Sequence, residues 1–377
     1  MKIGVIDAEI IGRKKHRFPN LASMKISGYY KDGGDDVELL LNYDDINKYN
    51  KVFISKVFTD TTVDKEILKL PNVEYGGTGF FYDKAEPLPY EIEHHMPDYH
   101  LYDEWVKLQL ENGVKRKDLV FYLDYSIGFT TRGCFRQCPF CVNQNYTKVE
   151  LHSPINEFLD INRKYICLLD DNVLGSSKWQ NIFNELNSTG KKFQFRQGMD
   201  ERILNDKKCK ILVNSNYVGD YMFAFDNIAD KEVIIEKLEL WRKYNTNKGQ
   251  DTKFYVLCGY DRSGKYDDDF WRQDIIDTFE RIKILMKYNC LPYIMRHKDH
   301  ENSPYKGTYT NLAGWCNQPS LFNKFSYREF CEKSQARQKN QNKISSYMKY
   351  LIKLETEHPD IAKKYFDIKF KDIYKNK

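Results

Sequence analysis

The chain has 377 residues, 41% of them hydrophobic and 30% charged, with 59 Lys and Arg against 54 Asp and Glu. This composition is that of a soluble globular protein, long enough for two domains or for one large domain with additions. No apolar run approaches the ~20 residues of a membrane helix, and a net charge of +5 permits a nucleic-acid partner without arguing for one.

Residues 1–80 alternate strand and helix signals. Strands are expected at 2–6, 37–41, 52–55 and 73–75, with helices at 19–31 and 61–69, the latter closed by Pro71. Strands alternating with helices imply a parallel sheet covered on both faces. Residues 81–124 are expected to be a connector broken by Pro87, Pro89 and Pro97, with a helix near 99–111. The alternation then returns, with strands expected at 126–131, 165–169, 192–196, 221–225, 254–258 and 292–295. Helices are expected between them at 177–186, 231–244 and 270–288. From residue 324 the chain carries 14 Lys or Arg against 7 Asp or Glu, and Phe330, Tyr347, Tyr350, Leu351 and Leu354 are placed on one helix face. A lysine-rich helical tail reads first as a solvated face and second as a nucleic-acid-contacting arm.

The opening Met1-Lys-Ile-Gly-Val-Ile-Asp7 is too short and too soon acidic for a secretory signal. The chain has nine cysteines, three clustered and six scattered, which suggests a reducing compartment with one metal site. A cytoplasmic location is expected. The 28 Tyr and 23 Phe read first as coding bias and only second as a stacking surface.

The clustered cysteines lie in Thr130-Thr-Arg-Gly-Cys-Phe-Arg-Gln-Cys-Pro-Phe-Cys141, a C-x3-C-x2-C run directly after an expected strand. Soft thiolates suit iron–sulfur clusters, and cluster-binding cysteines come in short spaced runs. Three thiolates leave the fourth iron of a four-iron cluster without a protein ligand, a place for chemistry. Three other readings compete: a zinc site, which wants a second ligand pair that is missing here; a disulfide, which a reducing compartment does not keep; and chance.

The cysteine spacing, the Gly133-Cys134 entry and the aromatic Phe140 before the last cysteine resemble the radical S-adenosylmethionine (radical SAM) superfamily. The resemblance implies an α/β architecture: a Rossmann-like parallel-sheet domain at 1–80, a connector at 81–124, a partial (β/α)6 TIM-type barrel at 125–323, and a basic helical extension at 324–377. It implies a [4Fe-4S] cluster on Cys134, Cys138 and Cys141. S-adenosylmethionine (SAM) would bind the open iron and be cleaved reductively to a 5′-deoxyadenosyl radical that abstracts hydrogen from an unidentified substrate. A reductant such as flavodoxin or ferredoxin is then expected as a partner.

Polar residues at the strand ends complete the expected site, since chemistry in such barrels gathers at the carboxyl ends of the strands. Phe140 is expected beside the adenine. Asp170 and Asp171, with Asn172, stand where the family holds the SAM amino group, and an acidic helix cap is the competing reading. Arg196 is expected to pair with a carboxylate, of SAM or substrate, or else with Asp200 or Glu201. Asp226, beside Asn227, is expected at the ribose, and Gly259 near the adenine, where a strand-to-loop glycine is the plain reading. Arg296 and His297 end the last strand, and His297 reads as a packed or surface residue. Trp315 and Cys316 are expected to line or lid the site, and Cys316 with Cys331 suggests no second cluster.

The N-terminal unit resembles the cobalamin-binding domain that precedes many radical SAM barrels, whose fingerprint is D-x-H-x-x-G, then S-x-L, then G-G. Here the chain reads Asp7-Ala-Glu-Ile-Ile-Gly12, Ser55-Lys-Val57 and Gly76-Gly77. Glu9 stands in place of the histidine, and a carboxylate is a poor substitute for an imidazole on cobalt. Cobalamin binding without a side-chain lower ligand stays open, and methyl transfer, a further reading, requires it. Otherwise the domain is vestigial. A non-catalytic iron–sulfur protein that binds a partner or nucleic acid is the reading from another class.

Overall fold

The computed structural model describes residues 1–13, 15–246, 251–338 and 343–374. The chain divides into two compact units, Met1–Arg196 and Gln197–Lys377. It is an α/β protein whose main sheets are parallel.

In the first unit, β1 (Lys2–Asp7) is buried on both faces through Ile3, Val5 and Ile6. A strand hydrophobic on both sides suits the centre of a parallel sheet. It is flanked by β2 (Asp36–Leu39) and β3 (Lys51–Ser55), and β4 (Val73–Gly76) lies outside β3, in the order β2-β1-β3-β4. This is the Rossmann-like sheet that the sequence predicts. The helix Leu21–Asp32 begins at Asn20, whose side chain accepts from the Ser23 N–H and satisfies one of the open donors of the first turn. Its Met24 and Ile26 pack with Ile3, Val5 and Phe53, and Tyr99, Tyr102 and Trp105 join the same core. A second core of Ile6, Leu40, Ile46, Tyr49, Val52 and Ile54 includes the remaining apolar side chains of the sheet.

The helix expected at 61–69 does not form, and only a 3-10 turn at Ile67–Lys69 is present. The run Thr61-Thr62-Val63 is β-branched and loses side-chain freedom in a helix. Thr61 is also engaged elsewhere, its carbonyl accepting from Lys56 Nζ at 3.0 Å and its hydroxyl from Arg13 Nε at 3.0 Å.

The remaining strands of the first unit are β5 (Tyr125–Gly128), β6 (Thr131–Arg132), β7 (Glu150–Leu151), β8 (Tyr165–Leu168) and β9 (Lys192–Phe195). β5-β8-β9 form a parallel sheet, and β6 pairs antiparallel with β7. The second unit holds β10 (Tyr221–Ala224), β11 (Thr252–Cys258) and β12 (Leu291–Arg296), also parallel and in that order. The six strands expected between 125 and 300 are therefore all present, as two three-stranded sheets. No sheet closes on itself among the described residues.

The C-terminal segment corrects the expectation of one helix face. Phe330 lies on the helix Tyr327–Ala336, and Tyr347, Tyr350, Leu351 and Leu354 lie on a separate helix, Ser346–Glu357. Nor is the tail merely a solvated face. Leu351, Leu354, Ile361, Tyr365 and Phe366 are buried, and Tyr365 stacks on Phe279 at 5.3 Å. Several of its apolar residues build core, and some of its described cations are paired, such as Arg328 with Glu355 and Lys369 with Glu329. Residues 339–342 and 375–377 of the expected tail lie outside the described residues. No described helix is long and apolar enough to cross a membrane.

Candidate functional site

The cysteine loop, residues 133–149, runs between β6 and β7 within the first unit. The ladder Thr131↔Leu151 and Arg132↔Glu150 forms its neck. Gly133 turns the chain with φ +90, and a Cβ there would stand 2.6 Å from the Lys148 carbonyl oxygen on the returning arm. Only glycine combines that backbone angle with so close an approach. Inside the loop the Cys141 N–H donates to the Cys138 carbonyl at 2.9 Å, a tight turn that brings these two cysteines round. Cys134, Cys138 and Cys141 are half-buried, and none is in a disulfide.

The end of β8 supplies the support. Asp170 is buried and its carboxylate takes four hydrogen bonds, from the N–H and hydroxyl of Thr130 (3.1 and 2.6 Å) and from those of Thr131 (2.6 and 2.7 Å). Burial pushes its acidity constant upward, and these four donors offset part of that shift. Asp171 accepts from the Gly133 N–H at 2.9 Å through one oxygen and from Asn143 Nδ2 at 2.7 Å through the other. Adjacent side chains on an extended segment point to opposite sides, yet both aspartates serve this loop because it wraps past the strand end. Asn172 donates Nδ2 to the Cys134 sulfur at 3.5 Å, and the Asn143 N–H donates to the Cys141 sulfur at 3.4 Å.

This donor set fits an iron–sulfur cluster. Thiolates are its protein ligands, and N–H groups aimed at the sulfurs are among the features that set its potential. Among the described residues no three His, Cys, Asp or Glu side chains converge on a single ion. A cluster asks for less convergence, because each thiolate meets a different iron. Asn172 Oδ1 is buried without a partner, an orphaned acceptor beside the same sulfur.

Phe140 is half-buried, and its carbonyl accepts from the Tyr82 hydroxyl at 2.7 Å. Arg196 is exposed just past β9. Its guanidinium lies 5.1 Å from the Phe121 ring centre and 5.9 Å from that of Phe18, and its N–H donates to the Leu168 carbonyl. The structure therefore brings Cys134, Cys138, Cys141, Phe140, Asp170 and Asp171 to one loop and its support. Asn143, Thr130, Thr131 and Tyr82 escaped the sequence reading. Asn143, two residues past the last cysteine, carried the one available signal.

Asp226 and Gly259 belong to the second unit, at the ends of β10 and β11. Asp226 is half-buried as a residue, but its carboxylate lies inside and accepts from the Leu257 N–H at 3.0 Å. Burial pushes its pKa up to about 6, against the pull of Arg281. Arg281 donates to the carbonyls of Phe225, Asp226 and Leu257 and so ties the two strand ends together. Gly259 has φ +75, and a Cβ there would meet His300 Cβ at 2.7 Å. Its N–H donates to Asp274 at 2.8 Å.

Asn227 and His297 each cap a 3-10 turn, Asn227 by accepting from Ala229 N and His297 from Asp299 N. Arg296 donates to Thr310 Oγ1 at 2.9 Å. In the competing ion-pair reading for Arg196, Asp200 takes Arg202 Nε at 2.7 Å, and Glu201 is buried and accepts from the Ala224 N–H. Trp315 and Cys316 are core residues, each 1% exposed, and the indole N–H donates to the Phe325 carbonyl. They pack and do not line a surface. Burial raises the thiols of Cys316 and Cys331 far into the protonated range.

At the N-terminal sheet, position 9 does not fit a cobalt ligand. Glu9 is buried, and its Oε1 accepts from the N–H groups of Val57 and Phe58, both at 3.1 Å. Lys56 is buried against Gly77 and Gly79, with its ammonium 4.6 Å from the Phe80 ring centre. The carboxylate holds the turn after β3 and offers no imidazole.

No family model matches the chain, and no curated protein matches it. Two solved structures are similar, both of the cobalamin-dependent S-adenosylmethionine radical enzyme OxsB. The apo, selenomethionine-labelled form matches with a TM-score of 0.45 and 13% identity over 95% of this chain and 61% of the other. The form with aqua-cobalamin bound matches with a TM-score of 0.36 and 13% identity over 99% of this chain and 58% of the other. The chain thus spans about three fifths of the length of the structures it resembles.

Proposed function

We propose that the chain is a radical SAM enzyme, with residues 1–80 as an accessory Rossmann-like domain and residues 125–323 as the catalytic part. The observation that carries the reading is the loop itself: three half-buried thiols in C-x3-C-x2-C spacing, two of whose sulfurs receive N–H donors. Cys134, Cys138 and Cys141 would hold a [4Fe-4S] cluster. The cluster and SAM together supply one-electron reductive cleavage of a carbon–sulfur bond, the source of a hydrogen-abstracting radical.

The protein's own part is positioning. Asp170 fixes the incoming approach to the loop, Asp171 ties its first turn at Gly133 to Asn143, and Asn172 and Asn143 donate to the Cys134 and Cys141 sulfurs. Phe140, Arg196, Asp226 and Gly259 are the proposed contacts to SAM. Cobalamin-dependent methyl transfer is the second reading, and it would need cobalamin bound without a side-chain lower ligand, because Glu9 is already bonded to backbone N–H groups. The proposed setting is the cytoplasm, with a flavodoxin- or ferredoxin-type reductant.

Anaerobic reconstitution with iron and sulfide tests the reading. The wild-type chain is expected to take up about four irons per chain and, with SAM and a strong reductant, to release 5′-deoxyadenosine. Alanine at any one of the three cysteines is expected to remove most of the iron. Zinc or no metal at the loop overturns the proposal. An intact cluster that binds SAM but releases no 5′-deoxyadenosine turns the assignment to a non-catalytic binding role.

A further inference from the structure

One oxygen, Glu93 Oε1, collects cations and an imidazole from three separate segments. Lys25 Nζ of the helix Leu21–Asp32 lies 3.1 Å away and also donates to the Glu93 carbonyl. Arg132 Nη2 of β6 lies 3.3 Å away, and His152 Nε2, just past β7, 3.4 Å away. The two loop-side partners flank the neck of the cysteine loop: Arg132 stands two residues before Cys134, and His152 stands on the arm that returns.

Their placement is reinforced from outside. The Arg132 guanidinium lies over the Phe129 ring at 3.3 Å, and His152 stacks on His94 at 5.1 Å, itself paired with Glu157 at 2.8 Å. The His152 N–H continues the ladder to the Thr130 carbonyl at 2.9 Å. Lys25 and Glu93 are nearly sealed from water, with side-chain exposures of 5% and 13%. A charge pair taken out of water costs desolvation that its attraction must offset, so an interior pair is weak evidence for stability alone. The geometry here has a more specific consequence: the pair anchors both strands of one loop to a helix of the neighbouring sheet.

We propose that Glu93 is a positioning residue for the cysteine loop, acting through Arg132 and His152 to hold the neck closed and the three thiols in register. The proposal rests on the radical SAM reading above. It assigns to the 81–124 stretch a part in holding the cluster.

The test uses the full-length chain, reconstituted anaerobically, in the variants Glu93→Gln, Glu93→Asp and Arg132→Gln. Arg132→Gln leaves the Lys25–Glu93 pair whole and so keeps the test valid if Glu93→Gln fails to fold. Iron retained after a fixed exposure to a chelator is measured, together with the electron paramagnetic resonance signal of the reduced cluster with and without SAM. Glu93→Gln and Arg132→Gln are expected to lose iron at least threefold faster than wild type and to show a diminished SAM-induced change in the signal. Glu93→Asp is expected to restore part of both. A purely structural ion pair would lower the melting temperature and leave the spectrum of the retained cluster alone. Wild-type iron retention and spectra in a folded Arg132→Gln overturn the proposal. Iron retention in Cys134→Ala would instead overturn the cluster assignment.

Discussion

Asn172 donates its side-chain N–H to the sulfur of Cys134 across 3.5 Å, from a side chain that is 2% exposed. Such a donor stabilises the more negative, reduced state of a thiolate-bound cluster and raises its potential. Asn172→Leu keeps the approximate shape and removes the donor. One hydrogen bond is worth roughly 1 kcal/mol, which for a single electron is about 40 mV. The reconstituted variant is expected to be harder to reduce by about that amount in a redox titration. An unchanged potential, with iron content intact, would show that this contact does not reach the cluster electronically.

Asp170 holds the approach to the loop by four hydrogen bonds to Thr130 and Thr131. In Asp170→Asn the amide turns a donor toward donors, and at least one of those buried groups loses its partner. Hydrogen bonds to charged groups are worth ~1.5–3 kcal/mol, and orphaning a buried group costs about as much. A loss of about 2 kcal/mol in denaturant unfolding is therefore expected, accompanied by reduced iron uptake. If stability and iron uptake both match wild type, Asp170 is not a support of the loop.

Asp7 gives the first unit a pH dependence of unusual sign. Burial raises its pKa to about 7, opposed by the hydrogen bond from Tyr102 and reinforced by the charge of Glu9. The unfolded value is about 3.9. Between these values the folded state binds more protons than the unfolded state, so stability falls as pH rises from about 4 to about 7 and is flat with respect to this group above that. Asp7→Asn keeps an acceptor for the Glu9 N–H, turns its amide N–H toward the Tyr102 hydroxyl oxygen, and removes the titration. Urea unfolding at pH 5, 6, 7 and 8 should show the variant gaining on wild type up to pH 7 and then running parallel to it. A constant difference across that range would mean that Asp7 keeps an ordinary acidity.

Much of this architecture can be read from local pattern. Ile3, Val5 and Ile6 mark a buried strand within a few residues, and the six later strands stand out by the same short-range periodicity. The 61–69 helix failed because its apolar spacing carried no trace of the two cations that claim Thr61, Lys56 just before it in the chain and Arg13 from 48 residues away. The tail misled for a related reason. Phe330 and Leu351 share a periodic pattern but belong to separate helices, and composition alone does not reveal which apolar side chains are buried.

By itself the sequence determined the chemistry on offer at the candidate site. Thiolate softness and the spacing of Cys134, Cys138 and Cys141 are properties of the residues and of a short stretch of chain, so they survive without a fold. Only the tertiary structure decided where the supporting groups point. Asp170 and Asp171 turn to the cysteine loop, and Glu93 meets Lys25 and Arg132. Those contacts join segments roughly forty to seventy residues apart. A hydrogen bond depends on where two groups arrive in space, and along the chain nothing but the completed fold fixes that meeting.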